Sequence, residues 1–198
     1  MLSLLDYLNI HKTYLLGLSG GGTVALDFTL EHPERVDALI LVAAGLSGYP
    51  LRMTESIQAF IGQYYGALQR KDSASAVEAT VRLWTDGPRK ARAGQCAGPR
   101  AHHGHIHAAY STAWRPFGTP AAHASLRTPA VDRLAEVKAP TLIVVGDQDA
   151  PEVLEVADTL EWGIAGAKKR VIPDTAHHPH MEKPEEFNRI VIDFLSVE

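Results

Sequence analysis

The feature that most constrains this chain is "LLGLSGGG", residues 15–22, where an apolar run stops at a serine set among glycines. "TYLLGLS" (13–19) reads as a short strand buried on both faces of a parallel sheet. "GTVALDFTLEH" (22–32) places Val24, Ala25, Phe28 and Thr29 on one helical face, and Pro33 ends it. "VDALILVAA" (36–44) is a second buried strand. Strand, helix and strand in so short a span make a βαβ unit, whose crossover requires parallel strands. The G-x-S-x-G turn sits between strand and helix. There, side chains at Gly17 and Gly21 are expected to collide with neighbouring backbone, and the Ser19 hydroxyl stands clear at the helix N-terminus.

The same alternation returns late in the chain. "PTLIVVGDQD" (140–149) predicts a third strand, and Pro151 opens a helix with Val153, Val156, Ala157 and Leu160 on one face. "KKRVIPD" (168–174) predicts a fourth strand. The last helix begins near Pro184 and carries Phe187, Ile190, Val191, Phe194 and Leu195 as one apolar stripe. Between the second and third strands the text changes. Helices are predicted over 54–70, through Ile57, Phe60, Ile61, Tyr64 and Leu68, and over 74–84, through Val77, Val81 and Trp84. No strand is evident from Asp86 to Pro129, which is rich in Gly, Pro, Ala and His. Connections in α/β units are short, so this long middle reads as an insertion.

Composition narrows the class. With 45% hydrophobic and 21% charged residues the 198-residue chain has the make-up of a globular domain. A net charge of −4 argues against nucleic acid as a partner. The longest uncharged apolar stretch, "ALILVAAGL" at 38–46, is too short to span a bilayer. The start "MLSLLDYLN" lacks a basic lead, so it does not read as a signal peptide, and a single cysteine, Cys96, points to a reducing compartment, the cytoplasm by default.

A serine hydroxyl becomes a useful nucleophile only when a base takes its proton and a carboxylate orients that base. "GDQD" ends the third strand and "DTAHHPHMEKP" follows the fourth, both at C-terminal strand ends, where open α/β sheets build their sites. Asp147 competes with Asp149 for the acid role, and His178 and His180 flank His177.

These stretches together resemble the α/β-hydrolase superfamily. "GLSGGGTVALDFTLEHPERVDALILVAA" is similar to its nucleophile elbow, helix and next strand, "APTLIVVGDQDAP" to its acid strand, and "IPDTAHHPHMEKPEEFNRIVIDFL" to its histidine loop and final helix. Position by position, the resemblance implies Ser19 as nucleophile, Asp149 as the orienting acid and His177 as base, with the Gly20 N–H as an oxyanion donor and Gly17 and Gly21 as elbow glycines. It covers residues 1–47 and 128–198 as the sheet core, and 48–127 as a helical cap. It implies a cofactor-free serine hydrolase cleaving a small-molecule ester or lactone through an acyl-enzyme. Carbon–carbon bond hydrolysis or perhydrolysis by the same triad is the first alternative, and a catalytically impaired binding or assembly module the second. The family places several strands before the elbow strand, so the chain is expected to lack them, together with the turn that supplies a second oxyanion donor. The elbow strand would then be an exposed apolar edge, open to pairing with another copy.

"HHGHIH" at 102–107 invites a metal reading through His102, His103, His105 and His107. No carboxylate or cysteine lies beside it in sequence, so the expectation is a solvated or pocket-lining cap segment and no metal.

Overall fold

The computed structural model describes residues 1–50, 52–88 and 128–196. Four parallel strands form one sheet in the order β1-β2-β3-β4: β1 Thr13–Leu18, β2 Val36–Val42, β3 Thr141–Gly146 and β4 Lys168–Ile172. The helices are α1 Leu2–Tyr7, α2 Gly20–Glu31, α3 Glu55–Gln69, α4 Ser73–Thr80, α5 Pro151–Gly163, α6 Pro179–Glu182 and α7 Pro184–Leu195. Every strand and long helix expected from periodicity is present. The helix expected over 74–84 is α4 continued by a five-residue π-helical stretch, Val81–Thr85, and beyond the expected elements are the single turn α6 and the 3₁₀ turns Pro33–Arg35, Ala130–Asp132 and Leu134–Glu136.

Alternation along β2 explains the layering. Leu39 and Leu41 point into a core with Leu15 of β1, Ile143 and Val145 of β3, Ala25, Leu26 and Leu30 of α2, and Val156, Ala157 and Leu160 of α5. Ala38, Ile40 and Val42 point the other way, against Leu142, Val144, Ile172 and the α7 residues Phe187 and Phe194. The two central strands are thus covered on both faces, and their near-continuous apolar text follows from that. The α7 stripe is as expected. On α2 the buried face is Gly22, Ala25, Leu26, Thr29 and Leu30, rotated from the expected one, and Val24 is exposed. On α5 the helix also buries Glu152, whose carboxylate has no hydrogen-bond partner among the described residues.

β1 departs from the expectation of burial on both faces. Leu15 is buried, but Tyr14 and Leu16, on the opposite face, are 53% and 51% exposed. Among the described residues β1 pairs only with β2, so its outer edge is open, as an edge strand would be.

The helices α3 and α4, between β2 and β3 in the chain, pack on each other through Tyr64, Ala67, Ala76 and Ala79. Ile57 and Leu83 then seat this pair on Ala150, beside Asp149. The rest of the middle segment, including His102 to His107, lies outside the described residues. No described helix is long and apolar enough to cross a membrane.

Candidate active site

β1 delivers Ser19 to the C-terminal edge of the sheet. The residue takes φ 54° and ψ −120°, a left-handed conformation costly for any side chain but glycine. Four backbone hydrogen bonds hold it there. Its N–H donates to Val42 O at 2.9 Å, and its carbonyl accepts from the N–H groups of Gly22 (2.9 Å), Thr23 (3.2 Å) and Gly45 (3.1 Å). Gly20 opens α2, so its N–H has no acceptor within the helix.

The glycines divide differently from the expectation. A Cβ on Gly17 would stand 2.3 Å from Gly21 O, so no side chain fits there. At Gly21 an added Cβ meets nothing within 4 Å, which corrects the predicted collision. The second crowded position is Gly22, where a Cβ would lie 2.5 Å from the Ala44 Cβ. The helix must approach the β2 end closely, and Gly22 is the residue that faces it.

β3 and β4 end side by side, Gly146 in register with Ile172, and the loops beyond them carry the other two residues. The His177 Nδ1 lies 2.9 Å from Asp149 Oδ2 and 3.2 Å from Oδ1. An ionised carboxylate can only accept, so Nδ1 carries the proton and Nε2 is left as the basic nitrogen. Asp149 has no exposed surface, and its Oδ1 also accepts the Ala150 N–H at 2.7 Å, at the start of α5, where the helix dipole favours negative charge. His177 bonds to Asp149 rather than to Asp147. Its N–H donates to Trp84 O at 3.1 Å, and the Trp84 ring covers the imidazole with centroids 4.6 Å apart. No hydrogen bond joins the Ser19 hydroxyl to His177 in this structure.

His178 and His180 do not touch the acid. Their rings continue a chain of edge-on and tilted ring contacts from His177 to Phe187. Burial, reinforced by the neighbouring imidazoles of His177 and His180, pushes His178 down to about 4, so it is neutral near pH 7. Burial and then His177 lower His180 as well.

Three features escaped the sequence reading. Trp84 fitted an apolar helical stripe, and nothing in its spacing marks it as the cover of His177. Glu182 was visible only as an acidic residue before a proline, yet it bonds to the backbone on either side of His177. Gly146 is needed because a Cβ there would lie 2.2 Å from Thr175 O, where the histidine loop folds back over β3. Among the described residues, no group of three or more His, Cys, Asp or Glu could hold a metal ion.

The profile of the family described as the alpha/beta hydrolase fold matches residues 1–184. The chain is 30% identical over 197 residues to the 2-hydroxy-6-oxo-6-phenylhexa-2,4-dienoate hydrolase of Comamonas testosteroni, covering 97% of this chain and 65% of that protein. It is also 30% identical over 203 residues to the 2-hydroxy-6-oxononadienedioate/2-hydroxy-6-oxononatrienedioate hydrolase of Paraburkholderia xenovorans, at 98% and 65% coverage. It therefore spans a little under two thirds of the length of these curated relatives. Among solved structures, an N-acyl homoserine lactone degrading enzyme superposes with a TM-score of 0.70 at 24% identity, covering 98% of this chain and 71% of that one. A 2-hydroxy-6-oxo-6-phenylhexa-2,4-dienoate hydrolase from a Rhodococcus strain gives 0.72 at 18% identity, covering 98% and 68%. At these identities the two structures establish likeness of fold alone.

Proposed function

This chain belongs to the alpha/beta hydrolase fold family, and from that premise we propose that it is a serine hydrolase that cleaves a small carboxylic ester or lactone. Ser19 is the nucleophile, His177 the general base and acid, and Asp149 the group that orients the imidazole. Residues 48–127 correspond to the family's cap, and of these α3 and α4 are seated through Ile57 and Leu83 on Ala150, beside Asp149. The observation that carries this reading is the His177–Asp149 hydrogen bond, at the same end of the sheet as a serine in a strained, positive-φ turn.

The chemistry follows from those atoms. The Ser19 Oγ attacks the substrate carbonyl carbon while its proton passes to His177 Nε2. The imidazolium is stabilised by the Asp149 carboxylate, and the Gly20 N–H donates to the oxyanion. Collapse expels the alcohol, which takes the proton from Nε2. Water then attacks the acyl carbon with Nε2 as base, the acid leaves, and Ser19 regains its proton. No cofactor or metal enters any step. The lone cysteine in the sequence suits a reducing compartment, and we assign the cytoplasm on that basis.

A second reading is favoured by the two curated relatives. A 2-hydroxy-6-oxo dienoate presents a ketone and no ester, so its hydrolysis breaks a carbon–carbon bond, and the same three residues would serve. A third, a binding or assembly module without turnover, predicts a folded chain with no hydrolysis.

The test is turnover of p-nitrophenyl acetate, a homoserine lactone and a 2-hydroxy-6-oxo dienoate, together with fluorophosphonate labelling. Ester or lactone hydrolysis, and labelling that disappears in Ser19→Ala, is the expected result. Turnover of the dienoate alone selects the carbon–carbon reading. Labelling that survives Ser19→Ala removes Ser19 from the reaction, and a folded chain inert to every substrate selects the binding module.

A further inference from the structure

The loop bearing His177 is held through its backbone as well as its ring. Three successive N–H groups have fixed acceptors. The middle one, His177 N–H, goes to the Trp84 carbonyl at 3.1 Å. The two flanking ones go to a single carboxylate. Ala176 N–H meets Glu182 Oε1 at 2.9 Å and Oε2 at 3.1 Å, and His178 N–H meets Oε1 at 3.3 Å.

The local sequence makes this bracket rigid. Glu182 ends the one-turn helix α6, whose first residue is Pro179, and Pro184 starts α7 two residues beyond it. Both prolines have φ set by their rings, so the carboxylate projects from a short, stiff segment. The segment it grips is enclosed, with Ala176 fully buried and His177 6% exposed. Hydrogen bonds to an ionised acceptor are about twice as strong as neutral ones, and one acceptor here serves both sides of the same residue.

We propose that Glu182 is a positioning residue for His177, its carboxylate fixing the backbone before and after the base so that the imidazole keeps its bond to Asp149. This rests on the reading of His177 as the general base. Without the carboxylate, the N–H groups of Ala176 and His178 lose their acceptor, and the loop keeps its bonds from His177 N–H to Trp84 O, from Gln148 N–H to Thr175 O and from Met181 N–H to His178 O, which leave it free to shift. The imidazole then leaves its working position while the sheet and core stay intact. Misplacement of about 1 Å at a reacting group can cost about 100-fold in rate, so the loss belongs in kcat rather than in substrate binding.

The experiment compares the full chain with Glu182→Ala and Glu182→Gln by two readouts. The first is amide hydrogen exchange at Ala176 and His178, with Val144 in β3 as the reference for global opening. The second is kcat and KM on p-nitrophenyl acetate per folded molecule. In Glu182→Ala, exchange at both loop amides should rise about tenfold or more with Val144 unchanged, and kcat should fall about 10- to 100-fold with KM within about threefold. Glu182→Gln keeps the shape and one acceptor oxygen, so its kcat should fall between the two. Parent kcat in folded Glu182→Ala overturns the proposal, as does a loss confined to KM or one that only tracks the melting temperature. Parent-like exchange and kcat in Glu182→Gln overturn it even where the alanine variant fails to fold. A parent chain inert to every carbonyl substrate sinks the hydrolase reading instead, and the exchange arm still decides whether Glu182 holds the loop.

Discussion

Asp149 and His177 lie 28 residues apart in the chain, and their side chains meet at 2.9 Å with the carboxylate wholly withdrawn from solvent. The carboxylate dictates which imidazole nitrogen carries the proton. Asp149→Asn keeps the volume but can present an N–H to Nδ1, which reverses the tautomer and leaves Nε2 unable to accept. A loss of kcat of about 10⁴-fold is expected, with KM little changed. Hydrolysis of an activated ester by the folded variant measures it, and a loss of less than tenfold would remove Asp149 from the mechanism.

The two elbow glycines should respond in opposite ways. Gly17→Ala sets a methyl 2.3 Å from Gly21 O, against backbone that cannot yield cheaply, and should destabilise the chain by about 1–3 kcal/mol or more. Gly21→Ala meets open space inside α2 and should be neutral or stabilising by up to about 1 kcal/mol through helix propensity. Urea midpoints read both directly. Equal destabilisation of the two variants would contradict the steric account.

Stability should fall on mild acidification. An unfolded histidine takes up its proton near 6.5, whereas folded His178 resists until about 4 because it is buried and faces His177 and His180. The unfolded chain therefore binds more protons between those values. The contribution is fully present above about pH 6.5 and is lost as pH falls towards 4. His180, lowered in the same direction, adds to it. His178→Phe should flatten the dependence of the urea midpoint between pH 7 and pH 4.5, by about the share this one group supplies. A dependence unchanged in that variant would place the acid sensitivity elsewhere.

The open side of β1 should drive self-association. Tyr14 and Leu16 present about half their surface beside backbone groups that no described strand pairs with. Light scattering should show mass rising with concentration, and Leu16→Lys should suppress the rise by placing a charge on the edge. A parent chain that stays monomeric over the whole range would mean that this edge is not adhesive.

Much of this architecture was legible in the order of residues. The apolar runs of β2 and β3, the stripe from Phe187 to Leu195 and the G-x-S-x-G turn are local patterns. Local patterns report backbone conformation and burial, because both depend on residues within a few positions of one another. They identified the strand ends, and with them Ser19 and the stretches holding Asp147, Asp149, His177, His178 and His180, among which the family resemblance singled out Asp149 and His177. They could not distinguish Gly21 from Gly22. That choice depends on Ala44, at the end of a different strand, which presses on one glycine and leaves the other free. Nor could they by themselves show that Tyr14 and Leu16 would be uncovered, since an edge strand and a central strand carry the same text; that expectation comes from the resemblance to a family with further strands before the elbow. The contacts around His177 are of the same kind. The Trp84 ring and carbonyl arrive from the segment between β2 and β3, and the Glu182 carboxylate from a one-turn helix. Spacing along the chain carries no information about which distant atoms will share a few ångströms. The sequence by itself determined the parallel α/β framework and the residue types at its strand ends. Tertiary packing alone decided which imidazole meets the buried carboxylate, because that depends on how the loops after β3 and β4 close over one another.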